Sequence, residues 1–132
     1  MGIIALKILK EDGERITKED IVTPEQVLSL WEGEIKSCFK VEGTSVQVKT
    51  ICHPYEDILA FHVESELIAA GRLSIELRFP EADDGWKNIS LWGDNKKHQS
   101  EIKHADENTA RLLHRQDTTE YQINIQYNKG RL

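Results

Sequence analysis

The chain has 132 residues, 39% of them hydrophobic and 30% charged, with a formal net charge of −6. That length and balance suit one folded domain that buries a core, and they exclude a disordered tail. The acidity argues against nucleic acid as a partner, because a binder needs a basic face to displace counterions from phosphates; a membrane span is excluded because no apolar run of about 18 residues is present.

The opening stretch, MGIIALKILKEDGE, lacks the apolar region and small-residue cleavage site of a secretory leader. Leu6 stands where a myristoylation signal carries Ser or Thr. Residues 3–9, IIALKIL, are expected as a strand, so the chain is expected to be a fragment of a longer protein. A turn at Glu11-Asp12-Gly13-Glu14 follows, and ITKEDIVTPEQ connects. Thr23 and Pro24 have the residue types of a helix N-cap and first position. VLSLWEGEIKSCFKV reads better as two strands interrupted at Glu32-Gly33, because Ile35, Ser37, Phe39 and Val41 alternate with polar neighbours. One helical turn near Pro24 fits this reading; a long helix does not. Trp31 stands in strand context and is expected in the core.

Thr44–Cys52 is expected as a strand with Val46, Val48 and Thr50 on one face. His53-Pro54-Tyr55-Glu56-Asp57 is a turn. ILAFHV, residues 58–63, is rich in β-formers and expected to be buried on both faces. SELIAAG reads as a loop or one helical turn. GRLSIELRFP, residues 71–80, alternates cleanly, with Leu73, Ile75, Leu77 and Phe79 on one side. EADDGWKNISLWGDNKKHQ then runs with no clear period. Ser100–Lys103, Thr109–Arg115 and Thr118–Tyr127 complete the strands. The pattern predicts an all-β chain, an antiparallel β-sandwich with at most short helical turns, as a single domain over 1–132.

The two cysteines, Cys38 and Cys52, can be tested against register. If Glu42-Gly43 form a two-residue loop, Val41 faces Thr44, Phe39 faces Val46 and Cys38 faces Gln47. Cys52 then lies on the Val46/Val48 face, opposite to Cys38, so free buried thiols are expected rather than a disulfide.

No constellation for catalysis stands out. The five histidines, His53, His62, His98, His104 and His114, form no HExxH or HxH pattern and no Cys/His pair at ligand spacing. No metal or other cofactor is expected. EADDGW departs from the EF-hand pattern, and no GxSxG or Gly-rich phosphate loop is present. Glu81, Asp83, Asp84 and Asp94 crowd one loop, where paired acids could flank a glycosidic bond or form a solvated acidic surface. Trp86 and Trp92 could stack on the apolar face of a sugar while Asp, Asn and His bond its hydroxyls, or could simply pack over the sheet.

Several segments together resemble a region near the N-terminus of large bacterial glycoside hydrolases with an (α/α)6 barrel, the maltose phosphorylase-like group. They are LSLWEGEIKSCFKVEGTSVQVKTICHPYEDILAFHVES, GRLSIELRFP, KKHQSEI and HRQDTTEYQINIQY, with Trp31, Gly33, Ile35, Ser37, Phe39, Gly43, His53, Pro54 and Asp57 at matching positions. The resemblance implies a supersandwich-like β-domain that precedes the barrel. The catalytic acids of such enzymes reside in the barrel, so no catalytic residue carries over and this chain alone is not expected to be an enzyme. It implies a non-catalytic accessory domain that packs on the helical catalytic domain and contacts glycan through the 80–99 loop. Asp83, Asp84, Trp86, Trp92, Asp94 and His98 would then be carbohydrate or domain-interface contacts. A parent enzyme of this kind is expected to be exported, periplasmic or extracellular. A free-standing carbohydrate-binding module and a protein-interaction module stay open as alternatives. The latter predicts a large exposed apolar patch. Dimerisation through an exposed seam or an edge strand is a further expectation.

Overall fold

The computed structural model describes residues 2–82, 90, 91 and 98–128. In chain order the strands are β1 (Ile3–Ile8), β2 (Ile21–Ser29), β3 (Glu34–Val41), β4 (Thr44–Cys52), β5 (Leu59–Glu64) and β6 (Leu73–Arg78). The short β7 (Glu81–Ala82) and β8 (Ser90–Leu91) follow, then β9 (His98–Ala105), β10 (Thr109–Gln116) and β11 (Thr119–Gln126). Among the described residues the helical elements are a 3-10 turn at Lys18–Asp20 and one turn, α1, at Glu66–Ala69. The chain is all-β and antiparallel, as its period-two patterning requires. It divides into two compact units, Ile4–Leu77 and Arg78–Leu132 together with Met1–Ile3.

In the unit Ile4–Leu77, β2-β3-β4-β5 form a four-stranded sheet in sequence order. The β3–β4 hairpin has Val41 opposite Thr44, Phe39 opposite Val46 and Cys38 opposite Gln47. Its loop is Glu42-Gly43, and both residues have positive φ, 46° and 83°. Two left-handed residues give the twist that flanking strands need, and Gly43 adopts its angle without a Cβ penalty. Pro24 sits in β2, not in a helix. The β2–β3 register shifts between Val22 and Glu25, and Thr23 takes φ 49°. Proline has no N–H for the ladder, so a bulge is where a strand tolerates it.

The second layer of this unit is the β1–β6 pair. The Leu9 N–H donates to the Arg72 carbonyl at 2.9 Å, and Arg72 Nε donates back to the Leu9 carbonyl at 2.9 Å. The Arg72 guanidinium also reaches the Glu42 carboxylate, which accepts from the Glu11 N–H at 3.1 Å. The β3–β4 turn is thereby tied to the end of β1. Between the layers lies the core: Ile8, Val41, Val46 and Leu67 are buried, with Leu6, Ile16, Phe39, Val48 and Leu73 packed around them. Leu67 comes from α1, whose N-cap Ser65 accepts from the Leu67 N–H at 3.2 Å and donates to the Ser45 carbonyl at 2.8 Å. One hydroxyl thus starts the helical turn and fixes it to β4.

The other unit is built on a three-stranded sheet, β11-β10-β9. Gln116 faces Thr119 across the two-residue turn Asp117-Thr118, with Asp117 at φ 54°. A bulge between Arg111 and Leu112 shifts the β9–β10 register. The preceding β9–β10 turn is organised by Asp106. Its carboxylate accepts from the N–H groups of Asn108 and Thr109 at 2.9 and 2.8 Å and from the Thr109 hydroxyl at 2.8 Å. Those donors hold the Asp106 carboxyl well below the usual carboxylate range. The stretch 81–99 carries the β7–β8 pairing, with Glu81 opposite Leu91 and Ala82 opposite Ser90, and the start of β9.

Three expectations are corrected. Trp31 is in the turn between β2 and β3 and is fully exposed, not in the core. β5 is an edge strand and mostly exposed, not buried on both faces. Cys38 and Cys52 are free as expected but exposed, not buried. Trp31, β5 and Cys52 lie beyond the end of the sheet that the β1–β6 layer covers, whereas Cys38 points to the opposite, polar face.

Candidate functional site

The face of the four-stranded sheet that holds Val41 and Val46 continues along β3 and β4 to Ile35 and Thr50. Cross-strand pairing places Leu28 beside Ile35, Phe61 beside Thr50 and Leu59 beside Cys52. Directly opposed residues of an antiparallel sheet share a face. One apolar surface therefore runs from the core, where Val41 and Val46 are 0% exposed, to an open end where Leu28 is 56% and Phe61 is 36% exposed.

The two turns at that end extend it. The β2–β3 turn presents Leu30 and Trp31, both strongly exposed, and the β4–β5 turn presents Tyr55 and Ile58. Gly33, at φ 62°, lies against the Cys52 carbonyl, so the two turns sit side by side. Glu32, Glu56 and Asp57 are exposed around the apolar residues and give the patch an acidic rim. His53 explains the shape of the second turn. Its Nδ1 accepts from the Glu56 N–H at 3.0 Å and the Tyr55 N–H at 3.3 Å, which holds HPYED closed and Tyr55 outward. Exposed apolar side chains rimmed by charge are the composition that interaction surfaces use.

The opposite face of the same sheet is polar. Lys36 and Lys49 are directly opposed, a like-charge pair that would repel. Glu34, 6% exposed, contacts both and neutralises them. Hydrogen bonds from Lys36 and Lys49 lower the Glu34 carboxyl below its ordinary range, and Glu34 raises Lys36. This buried carboxylate is accounted for by its partners. A shallow open depression beside it is lined by Lys36, Cys38, Gln47, Lys49, His62 and Glu64. His62 Nε2 lies 2.8 Å from a Glu64 oxygen, so His62 is a paired surface residue of the sheet.

Of the residues singled out in the sequence, Asp83, Asp84, Trp86, Trp92 and Asp94 lie outside the described residues. His98 is placed at the start of β9, with its ring 5.3 Å from that of His114. His104 Nε2 lies 3.2 Å from Asp106 and belongs to the β9–β10 turn. Among the described residues no group of three or more His, Cys, Asp or Glu could hold a metal ion, and no helix is long and apolar enough to cross a membrane.

Sequence reasoning missed the open sheet end. A signal was present: Trp31 directly precedes Glu32-Gly33, so a turn that begins at Leu30 carries the indole out of the strand ladder. His114 was also underrated. The Asp117-Thr118 turn sets it opposite Tyr121, between Leu112 and Gln116 on the apolar side of β10. Compared with protein-family models, with curated proteins and with solved structures, the chain matches none.

Proposed function

We propose that this chain is a non-catalytic accessory β-domain of a carbohydrate-active enzyme, and that it packs through the open apolar end of the β2–β5 sheet on a helical-barrel catalytic domain. The observation that carries this reading is the continuity of that surface with the core. Leu28, Trp31, Leu59 and Phe61 extend the apolar face beyond the layer that covers Val41 and Val46. Burying one such side chain contributes about 1.5–3 kcal/mol, so a few of them suffice for a domain interface of ordinary size. The acidic rim asks for Lys or Arg on the facing domain, which would set orientation more than affinity. The identity of the partner and the contact with glycan through residues 80–99 rest on the resemblance to glycoside hydrolases with an (α/α)6 barrel. The same surface would serve a free-standing protein-interaction module, which differs only in its occupant.

Sedimentation of the chain mixed with an (α/α)6 catalytic domain of the maltose phosphorylase-like group tests the reading. The expected result is a one-to-one complex with a Kd on the order of micromolar or tighter, and no turnover of glycosides by the β-chain alone. Hydrolysis or phosphorolysis by the isolated chain would contradict it, as would the absence of a complex.

A further inference from the structure

In the unit that carries β9, β10 and β11, one sheet face gathers imidazole and aromatic rings around a single buried group. His114 on β10 is 0% exposed. Its Nδ1 lies 2.8 Å from the Ser100 hydroxyl of β9. Phe79 stacks on its ring at 4.2 Å, the Tyr121 ring of β11 is at 5.0 Å, and the His98 ring is at 5.3 Å. Two ring nitrogens, His114 Nε2 and His98 Nδ1, are buried with no hydrogen-bond partner.

The register gives the surroundings. His114 is opposite Ser100 on one side and Tyr121 on the other, while Leu112 is opposite Ile102 and Ile123. The acids and bases of these strands, such as Glu101, Arg115 and Glu120, alternate onto the other face. Arg115 and Glu120 pair there with each other. Among the described residues of these strands the titratable groups that face His114 are His98 from β9 and Tyr121 from β11, and the N-terminal amine also acts on it; Phe79 contributes none. The Tyr121 hydroxyl is itself pushed up by burial, so it stays neutral and offers His114 no negative charge.

We propose that buried His114, packed against His98, is an acid-operated device, in which proton uptake by the His114 imidazole opens the β9–β10–β11 sheet at mildly acidic pH. A neutral imidazole fits the site, with one nitrogen on Ser100. An imidazolium does not, because both nitrogens then carry N–H donors and Nε2 has no acceptor. Burial lowers the His114 pKa, and the fields of His98 and the N-terminal amine act in the same direction. The folded value thus lies below the value of about 6.5 for a histidine in the open chain. Below that pH the open state binds more protons than the closed one, so stability is complete above about 6.5 and is lost as pH falls towards the depressed folded value. Each extra proton held by the open state shifts the opening equilibrium by up to about tenfold per pH unit, the full slope being reached well below about 6.5.

Hydrogen exchange of the full chain, corrected for the intrinsic pH dependence of the amides, reads this directly. Protection of the β9–β11 amides is expected to fall up to about fivefold between about pH 6.5 and 5.5 and more steeply below, while the β3–β4 amides do not follow. His114→Phe keeps a ring in the stack without the proton and is expected to abolish the fall. If that variant does not fold at neutral pH, imidazole nitrogen shifts of the unaltered protein decide, with His114 neutral in the closed form at pH values just below 6.5. Protection that ignores pH, the same pH dependence in His114→Phe, or a His114 already charged in the closed form would overturn the proposal.

Discussion

Ile8→Ala is expected to lower the stability of the Ile4–Leu77 unit by about 2–5 kcal/mol, the usual range for emptying a packed site. Ile8 is 2% exposed and touches the place where the two layers meet. The β1–β6 pair has only two strands, too few for independent stability, so the apolar contact of Ile8 with Val41, Val46 and Leu67 is what keeps it in place. The cavity cannot close easily, because β1 is also fixed by the Leu9–Arg72 hydrogen bonds. Ile75→Ala is the matched control: the same side chain, on the neighbouring strand β6, is 54% exposed. Its removal is expected to cost under about 1 kcal/mol. Urea unfolding of both variants checks the comparison. Equal effects would mean that the core is not where the layers meet.

The hairpin that carries this core was legible residue by residue. Glu42-Gly43 specify a two-residue turn, and that turn fixes every pair from Val41–Thr44 back to Cys38–Gln47. The clean alternation of Leu73–Arg78 and Thr119–Gln126 likewise gave strands where they are found. Other features depend on what lies across the sheet, which alternation does not encode. ILAFHV has the composition of a strand buried on both faces, yet β5 is an edge whose open end has no covering layer. Trp31 looked like a core residue for the same reason. A period-two pattern says which side chains share a face, and only the extent of the opposite layer decides which of them are buried. The six candidate site residues were chosen for composition, and His98 is the one that lies among the described residues. It proves to be half of a pair whose other half, His114, lies further along the chain on β10 but is brought diagonally beside it by the β9–β10 register.

Substituting the open sheet end is expected to have the largest effect on association. The triple change Leu28→Ser, Trp31→Ser and Phe61→Ser removes three apolar anchors from one face while leaving the core cluster intact. Central aromatic and aliphatic anchors dominate interface energetics, so the Kd for the helical domain is expected to weaken at least about 100-fold. Leu28 and Trp31 are largely exposed in the free chain and Phe61 is partly covered, so stability is expected to fall by about 1–3 kcal/mol, mostly through Phe61. Gln47→Ala, on the polar face of the same sheet, is expected to leave the Kd within about threefold, since it touches no part of the apolar end. A triple variant that binds as tightly as the original chain would remove the sheet end from the interface. The acidic rim adds a signature of its own: raising the salt concentration should slow association more than it speeds dissociation.

The central claim is that Leu28, Trp31 and Phe61 form the surface on which another domain sits. Hydroxyl-radical footprinting read by mass spectrometry tests it most directly, with the chain free and in complex with the (α/α)6 domain. Labelling of Leu28, Trp31 and Phe61 should be strong in the free chain and suppressed in the complex, with Tyr121 and the β9–β11 sheet unchanged. A complex in which these three remain labelled, with protection confined to Trp86 and Trp92, would contradict the account and move the interface to the 80–99 stretch.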